Sequence, residues 1–477
     1  MNKNSTILII GAGLCGSLLA LRMAQRGYQV KLIEKRPDLR KTKLAAGRSI
    51  NLAFSDRGIK AMKLAGIQEK VEKLCIPMNG RMIHDKEGNT FLSPYSGKKD
   101  EYINSISRPG LNALLLDEAE KMPNVSIEFN QNCVAVDFEG PSATFEDLNT
   151  KEKTIFEADV IFGTDGAGSA VRQSMEKSQG NTFQVSQEFL THGYKELSIP
   201  AGKNQEHQIY KNALHIWPRG ENMVIALPNM DGSFTVTLFL STRSGEYNFD
   251  NLKTPEKVRE YFEKFYPDAL KEMPTLAEDF FNNPIGELGT VKCFPWQVNG
   301  KVLLMGDAAH AIVPFYGQGM NASFEDVTVL DGIMEKFKDD FSWEKVFSEY
   351  ENQRKKDADA IADLALDNFF EMKEATADPV FQAKRKLETA FEQEFPEEYS
   401  SKYRLVTFQE EIPYSEAMKK GRAQDEAMLK LIAEKRIPDG LSLREKLELV
   451  QQETKMELFQ KNKPQRTQSK NAKGAKK

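Results

Sequence analysis

The first forty residues constrain the fold more than any other stretch. Thr6-Ile-Leu-Ile-Ile10 is a short unbroken apolar run, the pattern of a parallel strand buried on both faces. Gly11-Ala-Gly-Leu-Cys-Gly16 follows at once, 17–26 reads as a helix closed by Gly27, and 28–33 reads as a second strand with Glu34 at its carboxyl end. Strand, G-x-G-x-x-G turn, helix, strand and acid form a dinucleotide-binding unit. Gly11, Gly13 and Gly16 let the backbone approach a pyrophosphate at the helix N-terminus, and Glu34 is placed to accept hydrogen bonds from ribose hydroxyls. FAD and NAD(P) both use such a unit, so this segment alone leaves the dinucleotide open.

At 477 residues the chain exceeds one compact core, and two or more packed units are expected. Apolar residues at 40% and charged residues at 28% suit a globular chain. The net charge of -5 becomes -12 for residues 1–460 once the seven Lys/Arg of 461–477 are set aside. A body that acidic is a poor partner for nucleic acid, and the basic end reads as a disordered tail. Cys15, Cys75, Cys133 and Cys293 have no metal-like spacing and are too sparse for a disulfide framework, so a reducing cytoplasm is expected. The uncharged stretch 6–21 is interrupted by three glycines and is a poor signal or anchor. No apolar run of about 18 residues occurs elsewhere, so no spanning segment is expected.

Two later segments narrow the cofactor. Ala158-Asp-Val-Ile-Phe-Gly-Thr-Asp165-Gly166-Ala-Gly-Ser169-Ala-Val-Arg172 reads as a buried strand, a glycine turn and a helix start. Lys301-Val-Leu-Leu-Met-Gly306-Asp307-Ala-Ala-His310 is another buried strand ending in an acid. Taken singly, each aspartate also fits a turn or helix cap. Together, and in this order, the three motifs resemble those of the single-component FAD-dependent aromatic hydroxylases. That resemblance implies that Asp307 holds the ribityl chain of FAD and that 165–172 serves flavin and NADPH binding. No second G-x-G-x-x-G occurs, no Cys pair sits beside the flavin turn, and Trp217, Trp296 and Trp343 stand apart. NADPH is therefore expected to bind transiently, reduce the flavin and leave.

Gly47-Arg-Ser-Ile-Asn-Leu-Ala53, Asn79-Gly-Arg81-Met-Ile-His84, Ile106-Ser-Arg108 and Val313-Pro-Phe-Tyr-Gly-Gln-Gly-Met-Asn-Ala-Ser-Phe-Glu-Asp326 resemble the kynurenine-hydroxylating branch of that family, to about residue 414. The resemblance implies flavin contacts from Gly11, Gly13, Gly16, Glu34, Arg36, Ala53, Arg108, Asp165, Asp307, Met320 and Asn321. It implies that Arg81 and Tyr95 hold the substrate carboxylate, with Asn368 and Tyr403 at the same end. Pro314, Phe315 and Gln318 would wall the reacting centre. Tyr316 departs from the Phe or His common at its position.

The same residues also read physically. Period-two alternation puts Arg81 with Ile83, opposite Met82 and His84, and a guanidinium among apolar neighbours fits a planar carboxylate. By pattern alone Arg81 is equally an exposed sheet arginine. Asn368 shares a helical stripe with Ile361, Ala365 and Met372 in a helix read over 357–376, where an asparagine either satisfies a backbone group or lines a cavity. His310 and His84 read as structural, because the resemblance assigns the chemistry to a flavin hydroperoxide and needs no protein nucleophile or metal.

The expected fold is α/β. A Rossmann-like FAD domain is assembled from 1–75, 105–182 and 293–375. An antiparallel sheet with one covered face, from 76–104 and 183–292, roofs the flavin, and a helical region spans 376–460. The expected activity is NADPH- and FAD-dependent hydroxylation of L-kynurenine by oxygen to 3-hydroxykynurenine. Open alternatives are hydroxylation of another aromatic acid, or a flavin reductase or redox sensor. The oligomeric state is not legible.

Overall fold

Thr6–Ile10 lies inside a six-stranded sheet ordered Gln297–Val298, Val302–Leu304, Val160–Gly163, Thr6–Ile10, Gln29–Ile33, Val125–Glu128. The computed structural model describes residues 5–41, 51–98, 100–374, 378–438 and 440–461; the 47–50 part of the 47–53 motif and the tail 462–477 lie outside the described residues. Thr6–Ile10 pairs in parallel with Gln29–Ile33 on one side and Val160–Gly163 on the other, and the latter pairs in parallel with Val302–Leu304. Each of the three motifs thus follows one of three adjacent parallel strands. Their loops converge at the carboxyl end of the sheet, where α/β folds bind ligands. The strands are apolar throughout because both faces are covered, by helices and by a small antiparallel sheet from residues 131–157: Ile7, Ile9, Val160, Phe162, Val302 and Leu304 are fully buried.

The second sheet has seven strands, ordered Ile285–Phe294, Gln184–Ile199, Phe234–Ser241, Asn222–Pro228, Leu214–Arg219, Gly80–His84, Thr90–Pro94. All pairings are antiparallel except that of Leu214–Arg219 with Gly80–His84, where Leu214 stands opposite Arg81. The expected Asp231-Gly232 turn joins two of the strands, with Gly232 at φ +90°. The expectation of one covered face is corrected. The strand Phe234–Ser241 is buried along its whole length, because the helices Pro255–Phe265, Pro267–Leu270 and Leu276–Asn282 pack on the far face. Alternation sorts the side chains: Val224 and Ala226 join those helices, whereas Met223 and Ile225 face the opposite side, with Val313 and Tyr316.

After Lys336 the described chain is helical: Trp343–Glu374, Pro379–Glu394, Lys402–Thr407, Tyr414–Ala433 and Leu443–Lys461. The first begins well before the expected position 357. Phe391, Tyr399, Met428, Leu431, Leu447 and Val450 form a separate core for this region. Leu405, Val406, Tyr414 and Ala417 pack instead against Ile361 and Leu364, bringing Tyr403 to the sheet. A buried ion pair fixes that approach: the Arg404 guanidinium donates to both oxygens of Glu101 at 2.7–3.0 Å. Among the described residues, no helix is long and apolar enough to cross a membrane.

Candidate active site

The glycine turn is built for an anion. Gly11 has φ +103°, and a Cβ there would stand 2.6 Å from the Thr164 carbonyl oxygen. A Cβ on Gly16 would lie 1.9 Å from the Gly11 carbonyl oxygen, so this glycine sets how closely helix and strand pack. Gly13 differs: nothing lies within 4 Å of an added Cβ. The helix Leu14–Gln25 starts there with no side-chain cap, leaving its first N–H groups for an incoming phosphate. Glu34 is buried beneath the turn, accepting the Ala12 N–H at 2.8 Å with one oxygen and Arg36 Nε at 2.8 Å with the other.

The two later aspartates differ from each other. Asp165 caps the helix Ala170–Gln179, accepting the Ser169 hydroxyl at 2.5 Å and the Ala170 N–H at 2.6 Å. Burial pushes its carboxyl up, and these bonds oppose the shift. Asp307 sits at the start of its own short helix, and among the described residues no hydrogen bond reaches its carboxylate. Burial raises that carboxyl too, with Arg108 and His310 pulling it down. Open space at Gly13, an uncapped helix and a partnerless carboxylate fit a dinucleotide with a polyol chain.

Across the cradle, Asn321 bolts the helix Gly319–Lys336 to the strand Asn51–Phe54. Its Nδ2 donates to the Ala53 carbonyl at 2.9 Å, and its Oδ1 accepts the Ser55 N–H at 3.0 Å. Met320 lies beside it in the first helical turn. Gln318 is buried and accepts the Tyr414 hydroxyl at 3.1 Å, while Pro314 is exposed and Phe315 half-buried. Asn368 Nδ2 donates to the Phe315 carbonyl at 2.7 Å, so the asparagine satisfies a backbone group of that loop. Ile361 and Ala365 on its stripe are fully buried, and the Met372 side chain lies outside the described residues.

Arg81 lies on Gly80–His84 with Ile83 on the flavin side, as alternation predicts. Its guanidinium is 4.1 Å from the Tyr403 ring centroid and 5.2 Å from that of Tyr95, and among the described residues it has no carboxylate partner. Tyr403 stacks on Tyr95 and on Tyr316, each at 5.6 Å. The Tyr95 hydroxyl is buried with no hydrogen-bond partner among the described residues. Burial pushes the Tyr95 and Tyr316 phenols well up, against the pull of nearby Arg81, so both remain neutral donors. A free cation beside an orphaned donor has the chemistry to receive a carboxylate. From it an apolar wall of Leu214, Ile225 and Leu227 leads towards Met223 and Phe239, and the Phe239 ring lies 5.0 Å from that of Phe315.

A sequence profile described as "FAD binding domain" matches residues 4–365. Kynurenine 3-monooxygenase of Myxococcus xanthus (strain DK1622) is 46% identical over 423 residues, 89% of this chain and 90% of the relative. That of Dictyostelium discoideum is 45% identical over 439 residues, 90% of this chain and 93% of the relative. The chain belongs to the kynurenine 3-monooxygenase family. FAD is its cofactor. The solved p-nitrophenol 4-monooxygenase from Pseudomonas putida has the same fold, with a TM-score of 0.66, 17% identity, and coverage of 87% of this chain and 98% of that one. A tetrameric 2-methyl-3-hydroxypyridine-5-carboxylic acid oxygenase gives a TM-score of 0.63 at 22% identity, covering 79% and 95%.

Within this family member, several residues escaped the sequence reading. Arg172 was visible only as the end of a motif; it is buried, donating to the Ala308 carbonyl at 2.7 Å and to that of Ala167, and so joins the Asp165 and Asp307 loops. Asp326 accepts Gly306 N–H at 2.8 Å, His310 Nε2–H at 2.7 Å and Arg354 Nε–H at 2.9 Å. Burial alone would raise its carboxyl, but His310 and Arg354 hold it down at about 2. His310 is thereby a brace behind the flavin turn. The odd-numbered Met223, Ile225 and Leu227 carried a signal, since period two already separated them from Val224 and Ala226. The Glu101–Arg404 pair, 303 residues apart, carried none.

Proposed function

We propose that this enzyme hydroxylates L-kynurenine to 3-hydroxykynurenine with NADPH and oxygen, and that Arg81, Tyr95, Tyr403 and Asn368 position the substrate. The observation that carries the site assignment is the Arg81 guanidinium: clasped by two tyrosine rings, without an anion of its own, and next to the orphaned Tyr95 hydroxyl. When bound, FAD would supply the redox chemistry that links NADPH to oxygen and yields an oxygen species able to hydroxylate the ring. Arg81 binds the α-carboxylate through a fork of N–H donors, and Tyr95 donates its phenolic proton to the same group. Tyr403 covers the guanidinium and keeps water from it. Asn368 holds the Phe315 carbonyl and so sets the loop 314–318 against the aromatic ring. Leu214, Ile225 and Leu227 give the ring a dry, flat bed, which protects a reactive oxygen species from water.

An aniline-type ring is activated by its own amino group and needs no protein base. That agrees with His310 being committed to Asp326 and His84 facing away from the flavin. For the dinucleotide, Gly11, Gly13 and Gly16 shape the pyrophosphate seat. Glu34 with Arg36 lies at the ribose end, Asp165, Arg108 and Asp307 line the loops beside it, and Ala53, Met320 and Asn321 close the ring side. We assign the flavin domain to 1–75, 105–182 and 293–375, the sheet domain to 76–104 and 183–292, and the helical region to 376–460. Four free cysteines favour a reducing cytoplasm.

The test is NADPH oxidation by the purified yellow protein with and without L-kynurenine. Substrate-stimulated oxidation with 3-hydroxykynurenine as product is expected. Equal rates and no hydroxylated product would refute the reading, and a preference for NADH would revise the reductant.

A further inference from the structure

On the face of the sheet turned away from the flavin, His84 and His215 form a buried chain of three hydrogen bonds. Asp268 Oδ2 lies 2.8 Å from His84 Nδ1, His84 Nε2 lies 2.8 Å from His215 Nδ1, and His215 Nε2 lies 2.7 Å from the Tyr210 carbonyl oxygen. Each bond needs one proton, and the two terminal acceptors bring none. Asp268 is ionised: burial would raise its carboxyl, but hydrogen bonds from His84 and from Trp217 Nε1 at 2.7 Å hold it down at about 2. Three protons must therefore sit on four ring nitrogens, whereas two neutral imidazoles supply only two. The pair carries one extra proton and a positive charge, next to the carboxylate that balances it.

We infer that the His84–His215 pair is a buried imidazolium, held by Asp268, that positions the Arg81 strand for substrate binding. The pair joins the two strands of the sheet's one parallel contact, which has only three residue pairs, Arg81 with Leu214, Met82 with His215 and Ile83 with Ile216. So short a ladder depends on side chains for its register. Of the two rings, His84 is the one that meets the Asp268 carboxylate, which sets the pair's positive charge beside its balancing anion. The His84 ring also stacks on Trp217 at 3.9 Å, a favourable seat for a cation. The other charged or titratable groups here are Arg219, which donates to the carbonyls of His84, Asp85 and Phe265, and the Tyr261 and Tyr266 phenols, both pushed up by burial. His207 stands beyond the Phe234 ring that separates it from His215.

This inference rests on the reading of Arg81 as the carboxylate site. Two measurements test it. In holoenzyme labelled with ¹⁵N-histidine at neutral pH, His84 is expected to show two protonated nitrogens and His215 only a protonated Nε2; two neutral imidazoles would overturn the proposal. In Asp268→Asn, KM for L-kynurenine is expected to rise about tenfold with kcat and FAD content unchanged, and Asp268→Glu to restore most of the loss. A lowered thermal midpoint with unchanged KM would reduce the network to a structural role and overturn the positioning claim. If Asp268→Asn does not fold, the nitrogen spectrum of the unaltered enzyme still decides the imidazolium, and His84→Gln decides positioning: a KM raised about tenfold supports it and an unchanged KM overturns it. Absence of kynurenine turnover by the parent enzyme would remove the proposed function and the positioning claim with it, while the spectrum would still decide the imidazolium.

Discussion

The flavin cradle and the substrate clamp proposed above would hold their ligands by different means. The cradle is mostly backbone: three glycines, an uncapped helix start and loops following neighbouring parallel strands. The clamp is side chains alone, with Arg81, Tyr95, Asn368 and Tyr403 brought from separate places in the chain. At Gly11 and Gly16 the backbone geometry tolerates no added atom, and it is written in short motifs. A side-chain clamp tolerates substitution of its parts, and each loss shows in substrate affinity rather than in folding.

Five variants probe that contrast, from the largest effect to the smallest. Gly16→Ala is expected to yield no yellow enzyme, since its Cβ would stand 1.9 Å from a backbone oxygen. Gly13→Ala has nothing within 4 Å to meet and is expected to fold with an unchanged thermal midpoint but reduced flavin content. The ratio of flavin to protein absorbance separates the two, and an FAD-replete Gly16→Ala would break the account of the cradle. Next, Arg81→Ala is expected to raise KM about 100-fold, the scale of a charge-assisted pair, without loss of FAD. Loss of FAD from that variant would place Arg81 in the cradle instead.

Tyr95→Phe is a milder probe of the clamp. If its hydroxyl binds substrate as proposed, removing it raises KM about tenfold. Because that hydroxyl is buried without a partner, its removal is expected to leave the thermal midpoint unchanged or higher, readable by calorimetry. The smallest effect lies behind the cradle. Asp326 is held at about 2, below its unfolded value near 3.9, so its stabilisation is complete above about pH 4 and is lost as pH falls towards 2. Acid titration of the unfolding midpoint is expected to show this loss, and Asp326→Asn to start lower and respond less steeply.

Much of the cradle was legible because its parts are contiguous. Gly11 to Glu34 forms a complete unit in which each residue's role follows from its neighbours. The clamp was legible in part. Alternation put Arg81 with Ile83, but whether a sheet arginine meets water or a ligand depends on Tyr403, which lies 322 positions later. The covered far face of the sheet was missed because its strands are apolar on both sides, and the helices that explain this lie between strands. The stripe through Asn368 left two readings, and the structure shows the amide satisfying the Phe315 carbonyl.

By itself, the sequence determined the dinucleotide unit, the three-motif order and the family, since these depend on local backbone geometry and on residue identity at short spacing. Only the tertiary structure decided which polar groups lack partners. Arg81 with no carboxylate and the Tyr95 hydroxyl with no hydrogen-bond partner among the described residues, and two histidines linked between Asp268 and the Tyr210 carbonyl, are facts about what surrounds a group. Burial and hydrogen-bond satisfaction are set by contacts between distant segments, and no short stretch of sequence encodes them.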